Sequence, residues 1–117
     1  MKETTIQIHY GSKYGDDRGC TTVRLPAWLE EAPLPKIKGL LKLAAQKAAE
    51  DKDNPGEILR LEAYITSAIT EAKTDLAATE KIEDRAERGA EKRRIENWIK
   101  RLQKIREALT AALDKYA

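Results

Sequence analysis

The chain contains one cysteine and one histidine among its 117 residues, and it contains no phenylalanine. A single cysteine cannot form an internal disulfide bond, which indicates a reducing compartment. A single histidine removes most zinc sites and most catalytic triads, so hydrolysis and metal-dependent catalysis are disfavoured. Since the sequence also carries no motif of known chemistry, we expect a non-catalytic protein without a cofactor or a bound metal.

Long hydrophobic runs are absent as well. Hydrophobic residues make up 41% of the chain, but no uncharged apolar run approaches the roughly 18 residues that a membrane-spanning helix needs. Met1 leads into Lys2 and Glu3 and then into an alternating pattern, not into the apolar core of a signal peptide. We therefore expect a cytoplasmic protein that does not contact a membrane.

A large charge of one sign is also lacking. The 22 lysines and arginines nearly balance the 20 aspartates and glutamates, so the net charge is +2. A net charge this small does not imply a polyanionic partner unless the basic residues cluster locally. The length is that of one compact domain, and we predict a single domain over residues 1–117.

The first 25 residues have the pattern of a β-hairpin. Between Thr4 and Tyr10 apolar and polar residues alternate, which is the period of a half-buried strand, and a shorter run from Cys20 to Leu25 repeats the pattern. The segment between them is rich in residues that form turns, namely Gly11, Ser12, Gly15, Asp16, Asp17 and Gly19. We predict a β-hairpin over residues 1–25. Because two strands alone are marginally stable, the hairpin needs a covering helix or a partner strand.

The next segment, residues 26–53, is predicted to contain a short helical turn and one helix. Three prolines limit residues 27–32 to a helical turn. From Lys36 onward apolar residues recur at helical spacing, and this pattern ends near Asp51.

Residues 54–117 are predicted to form a long helical hairpin. Asn54 and Pro55 indicate a helix start, and no proline follows them. A first apolar series steps by threes and fours through Ile58, Leu61, Ile65, Ala68 or Ile69, Ala72, Leu76 and Thr79. A second series fits a heptad pattern through Ile95, Trp98, Leu102, Ile105, Leu109, Ala112 and Tyr116.

Two architectures fit these two series. If the chain turns near Gly89, the only conformational breaker of the charged stretch between them, two long antiparallel helices bury each other's apolar sides. If it does not turn, one helix of about 60 residues would extend about 90 Å and could bury its apolar side only in an oligomer. We predict the first: an α+β fold with an N-terminal β-hairpin and two long helices in an antiparallel, coiled-coil-like hairpin.

The strongest candidate binding feature is a basic cluster between residues 92 and 106. Its candidate phosphate-binding residues are Arg93, Arg94, Lys100, Arg101 and Lys104. On a helix, Arg93, Asn97, Lys100 and Lys104 form one stripe that faces away from Trp98 and Leu102. Three interpretations remain open: a solvated face attracted to the acidic segment of residues 54–80, a contact with phosphates, or a contact with an acidic protein.

Two features of the predicted β-hairpin are candidates for other roles. The tip carries Tyr14, Asp16, Asp17 and Arg18, residue types that either bind a protein partner or remain solvated. If Ile6 pairs with Val23, His9 also faces Cys20. Because the sequence indicates neither an oxyanion site nor an orienting group, we expect a passive, half-buried thiol there and not a nucleophile.

We therefore predict a small binding protein, a regulator, adaptor or inhibitor, that contacts another protein through the hairpin tip and exposed helix faces. One alternative is an accessory protein that binds nucleic acid through the basic stripe. Another is an inhibitor of a nucleic-acid-processing enzyme. A homodimer is a further alternative, since a hairpin and one short helix leave part of the long helices uncovered.

Overall fold

The computed structural model describes residues 3–11, 18–51 and 57–116. Within these ranges the chain forms a two-stranded antiparallel sheet followed by four α-helices. The strands are β1 (Thr4–Tyr10) and β2 (Gly19–Leu25), and the helices are α1 (Ala27–Glu31), α2 (Leu34–Glu50), α3 (Ile58–Ala78) and α4 (Arg85–Tyr116). The predicted α+β class, with an N-terminal β-hairpin and a mainly helical body, is confirmed.

The alternation of apolar residues sets the register of the β-hairpin. Ile6 pairs with Val23 across the two strands. Both side chains are buried, together with those of Ile8 and Leu25. The helices cover this apolar face, because β1 contacts α2 and β2 contacts α1. A slip of one residue in either strand would turn the two apolar side chains of that strand to solvent, so burial specifies this pairing.

The prolines define the helices that follow the hairpin. α1 has five residues and buries Leu29. α2 begins at Leu34, slightly before the predicted start at Lys36, because Pro35 lies in its first turn, where a missing N–H group leaves no hydrogen bond unmade. The predicted start of the next helix at Asn54 and Pro55 lies outside the described residues.

The long helices do form a hairpin, but the predicted position of its turn is wrong. α3 ends at Ala78, a 3₁₀ turn covers Thr79–Lys81, and α4 begins at Arg85. Gly89 therefore lies inside α4. The alternative of one continuous helix is wrong too, and the molecule is 58 Å long, well short of the length such a helix would have.

Side chains around residues 76–88 hold the turn. The Thr79 hydroxyl is buried and donates a hydrogen bond to the Leu76 carbonyl oxygen over 2.6 Å. The Asp84 carboxylate accepts a hydrogen bond of 3.3 Å from the backbone N–H of Glu87, which makes Asp84 the N-cap of α4. The hydrogen bond of Thr79 follows the end of α3 and that of Asp84 caps the start of α4, so the chain reverses between these two residues.

Replacing Gly89 with alanine tests the position of the turn. A Cβ atom built on Gly89 meets nothing within 4 Å. Because alanine is favoured over glycine inside a helix, Gly89→Ala is expected to raise the free energy of unfolding by about 1 kcal/mol in urea denaturation. A loss of stability, as at a turn glycine with positive φ, would contradict the observed turn.

α4 is the central element of the helical body, because α2 and α3 both pack along it. The side chains that it buries are Ile95, Ile99, Leu102, Ile105, Leu109 and Ala112. The last four of these meet buried residues of α3 such as Leu61 and Ile65, and buried residues of α2 such as Ile37 and Leu41. Ile95 and Ile99 form a separate small cluster with Ala72 of α3. The apolar series predicted for both long helices therefore faces the core, apart from Tyr116, whose side chain lies outside the described part of the structure. The opposite side of α4 faces solvent.

Candidate functional site

The hairpin tip is only partly described. Tyr14, Asp16 and Asp17, three of the four predicted partner-binding residues, lie outside the described residues. Arg18 is exposed and precedes β2, where it lines a cavity of about 150 Å³ together with Tyr10 and Lys47. Partner binding by the tip stays a prediction.

His9 and Cys20 face each other across the sheet. They form a directly opposed pair in the register that places Ile6 opposite Val23. The expectation of a half-buried thiol is wrong: Cys20 is exposed, because it lies on the polar face of β2, opposite to the face that carries Val23 and Leu25. Within the described part of the chain, no group of three or more histidine, cysteine or acidic side chains could hold a metal ion.

Three residues of the predicted basic cluster already have partners within the molecule. The Lys92 ammonium lies 3.6 Å from the Glu80 carboxylate. The Arg94 guanidinium donates hydrogen bonds to the Glu91 carboxylate one turn earlier in α4. The Arg101 guanidinium donates hydrogen bonds to the backbone oxygens of α1 and the residue after it, Leu29 and Ala32. The charged groups of these three residues are therefore already engaged by other groups of the same chain.

The surroundings of Arg94 also shift ionisation equilibria. The hydrogen bond from Arg94 holds the pKa of the Glu91 carboxyl group below its usual value. The same hydrogen bond raises the pKa of Arg94, and the carboxylates of Glu30 and Asp75 raise it further. Arg94 therefore lies in an acidic environment made by its own chain, which disfavours it as a free contact for phosphate.

The other cations of the predicted stripe remain available. Arg93, Lys100 and Lys104 are exposed. In the described structure none of the three forms a hydrogen bond or an ion pair. With Asn97 they occupy positions three to four residues apart along the outer side of α4, as the sequence predicts.

This line of cations leads into a groove between α2 and α4. Continuing from Lys104 by steps of three or four residues gives Ala108, Ala111 and Lys115, which line the α4 side of the groove. The α2 side is lined by Pro35, Lys38, Gly39 and Lys42, and Ala112 completes the lining of a cavity of about 490 Å³. We call its small residues, Gly39, Ala108, Ala111 and Ala112, the floor of the groove and its lysines the walls. We refer to Lys38, Lys42, Arg93, Lys100 and Lys104 as the basic surface.

Lys38 and Lys42 are the residues of the basic surface that were not predicted as part of a binding site. Both lie on the exposed side of α2, and neither has an ion-pair partner in the described ranges. Their spacing of one helical turn was visible in the sequence. The sequence could not show that these two lysines lie beside the α4 stripe, because a hydrophobic pattern shows which side of a helix is buried but not which helix packs next to it.

A second depression on α4 lacks a uniform charge. It encloses about 600 Å³ and is lined by Gln103, Arg106, Glu107, Thr110, Ala111 and Asp114. Its one arginine is accompanied by two acidic side chains, so the positive potential is partly cancelled. The groove between α2 and α4 has only lysines among its charged lining residues, which makes it the better candidate for recognition of an anionic partner.

Comparison of the chain with protein-family models, with curated proteins and with solved structures gives no significant match. In the described ranges, no helix combines the length and the apolar character that crossing a membrane requires.

Proposed function

We propose that the protein is a non-catalytic binding protein that contacts an acidic protein partner through the basic surface of α2 and α4. The observation that carries this proposal is a line of exposed cations without partners, Arg93, Lys100 and Lys104, that leads into a groove with an apolar floor. Cations without partners inside the chain are free to pair with carboxylates outside it, and complementary charge speeds association and favours the correct partner.

The apolar floor favours a protein over a nucleic acid. Phosphate backbones are bound by cations and hydrogen-bond donors, which leaves an alanine-lined groove unused. A protein partner can place apolar side chains against Ala108, Ala111 and Ala112 and still provide carboxylates for Lys38 and Lys42.

The proposal also includes the predicted contact at the hairpin tip and the predicted cytoplasmic location. Arg18, with Tyr14, Asp16 and Asp17, is a second contact with the partner at the hairpin tip. The contact takes place in the cytoplasm, where an unpaired cysteine such as exposed Cys20 is ordinary. Binding of this kind fits a regulator, adaptor or inhibitor.

Reversing charges on the basic surface tests the proposal. The tagged full-length protein would be used to capture its partner from the cells that make it. Lys100→Glu combined with Lys104→Glu is expected to reduce the recovery of a stoichiometric partner at least about tenfold, because two favourable charge contacts become repulsive. The measurement is quantitative mass spectrometry of the captured proteins, and circular dichroism checks that the variant is folded.

The matched control reverses the same number of lysines elsewhere. Lys73 on α3 and Lys81 in the 3₁₀ turn are also exposed. Lys73→Glu with Lys81→Glu changes the net charge equally and should leave recovery unchanged. Equal losses in both variants would show a general charge effect, and no loss in either would contradict a contact through the basic surface.

A second candidate function, nucleic-acid binding, is supported by the same three cations on α4. It predicts binding of a labelled random-sequence duplex or single strand at low salt, with an affinity that falls steeply as salt is raised. Fluorescence anisotropy would measure this. If such binding occurs and is lost in the variant with Lys100→Glu and Lys104→Glu, the partner is a nucleic acid and not a protein.

A further inference from the structure

We infer that the groove between α2 and α4 binds an acidic amphipathic α-helix of the partner protein. This inference rests on the proposed function and adds the site and the form of the partner. It depends on the direction of the two helices, the small residues on the floor of the groove and the lysines along its walls.

The two walls of the groove run in the same direction. Arg101 of α4 reaches Ala32, just before α2 begins, whereas Lys42 further along α2 shares the groove with Lys115 further along α4. Two neighbouring helices that run side by side leave a lengthwise groove, and a third helix can pack into such a groove along its length. An elongated, rod-like ligand therefore suits the site better than a compact one.

Small residues allow a helix to approach the floor closely. Gly39, Ala108, Ala111 and Ala112 provide no side chain larger than a methyl group. A Cβ atom built on Gly39 meets nothing within 4 Å, so the space above this residue is open. An apolar ridge of leucine or alanine side chains on the incoming helix would fill that space and lose contact with water.

The lysines on the walls of the groove determine which charge the bound helix carries on its two flanks. Lys38 and Lys42 lie one turn apart on the α2 wall, and Lys115 lines the α4 wall. Lys104 lies one turn before Ala108, just outside the lining of the groove. No acidic side chain lines the groove among the described residues. Glutamates or aspartates on both sides of the apolar ridge would therefore meet lysines, whereas basic flanks would be repelled.

A selection experiment tests the form of the partner. A displayed library of helical peptides would have a fixed leucine and alanine ridge, with flanking positions randomised among Glu, Gln and Lys, and would be selected against the full chain. Enrichment of Glu at the flanks is expected. No enrichment, or enrichment of Gln or Lys, would overturn the inference.

Two glycine variants show where the selected peptides bind. Gly39→Trp fills the groove and is expected to weaken binding of a selected peptide at least about tenfold in fluorescence anisotropy. Gly89→Trp is the matched control, since Gly89 also lies in a helix with nothing within 4 Å of its built Cβ atom. It should leave binding unchanged. Peptides that bind both variants equally well would place the site elsewhere and overturn the inference.

The same variants separate this inference from the proposed function and from self-association. A captured partner that is lost with Lys100→Glu and Lys104→Glu but retained by Gly39→Trp would leave the proposed function in place and remove the groove as its site. A captured partner retained by all of these variants would remove both. A dimer in light scattering that dissociates with Gly39→Trp would assign the groove to a second copy and overturn the partner helix.

Discussion

Replacing Leu102 with alanine is expected to lower the free energy of unfolding by about 3 kcal/mol. Leu102 is fully buried near the middle of α4, in the core cluster that joins α4 to α2, α3 and the sheet. Removing a buried leucine side chain loses its apolar burial and leaves a cavity, and costs of about 2–5 kcal/mol are typical. Urea denaturation followed by circular dichroism would measure the loss.

Leu59 provides the control for this substitution. It is a leucine in α3 with 55% of its surface exposed, so Leu59→Ala should change the free energy of unfolding by less than about 0.5 kcal/mol. Similar losses at both positions would mean that Leu102 is not at the junction of the helices.

Replacing Arg101 with methionine is expected to cost about 2 kcal/mol of stability. The guanidinium ties α4 to the end of α1 through the carbonyl oxygens of Leu29 and Ala32, which are far away in the sequence. Methionine keeps much of the aliphatic length but leaves both oxygens without this donor, and hydrogen bonds to charged groups contribute about 1.5–3 kcal/mol where they are shielded from water. Because Arg101 is only half-buried, the lower part of this range applies.

The neighbouring lysine is the matched control for Arg101. Lys100 is exposed and has no partner in the described structure, so Lys100→Met should alter the midpoint of thermal unfolding little. Arg101→Lys should recover only part of the loss, since a single ammonium group does not reproduce the fork of a guanidinium. If Arg101→Met were as well tolerated as Lys100→Met, the two hydrogen bonds would not stabilise the fold.

The role of Arg101 could not be read from the sequence. Helical spacing places it beside the basic stripe, which made it a candidate for phosphate binding. Its observed partners lie 72 and 69 residues earlier in the chain. Such a contact depends on how α1 packs against α4, and a helical pattern alone contains no information about that packing.

The turn between the long helices illustrates the same limit. Gly89 marks the predicted position of the turn, but a glycine inside a helix costs only about 1 kcal/mol, which burial of α4 side chains outweighs. The useful local signal was Asp84 followed three residues later by Glu87, a spacing typical of a helix start. It lay within a stretch of charged residues and was not distinctive there.

The strands and the buried sides of the helices were predictable because their signals are periodic. Pairing of Ile6 with Val23 follows from alternation in both strands, and it brings His9 opposite Cys20. The predicted stripe on α4 is likewise exposed as expected. The groove was not predictable, because Lys38 and Lys42 become part of it only when α2 packs beside α4.

The central claim is that the partner covers the basic surface of α2 and α4, and lysine footprinting tests it most directly. The full chain would be acetylated briefly, free and in its captured complex, and the modification of each lysine compared by mass spectrometry. We expect Lys38, Lys42, Lys100 and Lys104 to be protected in the complex, and exposed Lys73 and Lys81 to react as in the free protein. Protection of Lys73 and Lys81 with the other four lysines unchanged would contradict the claim.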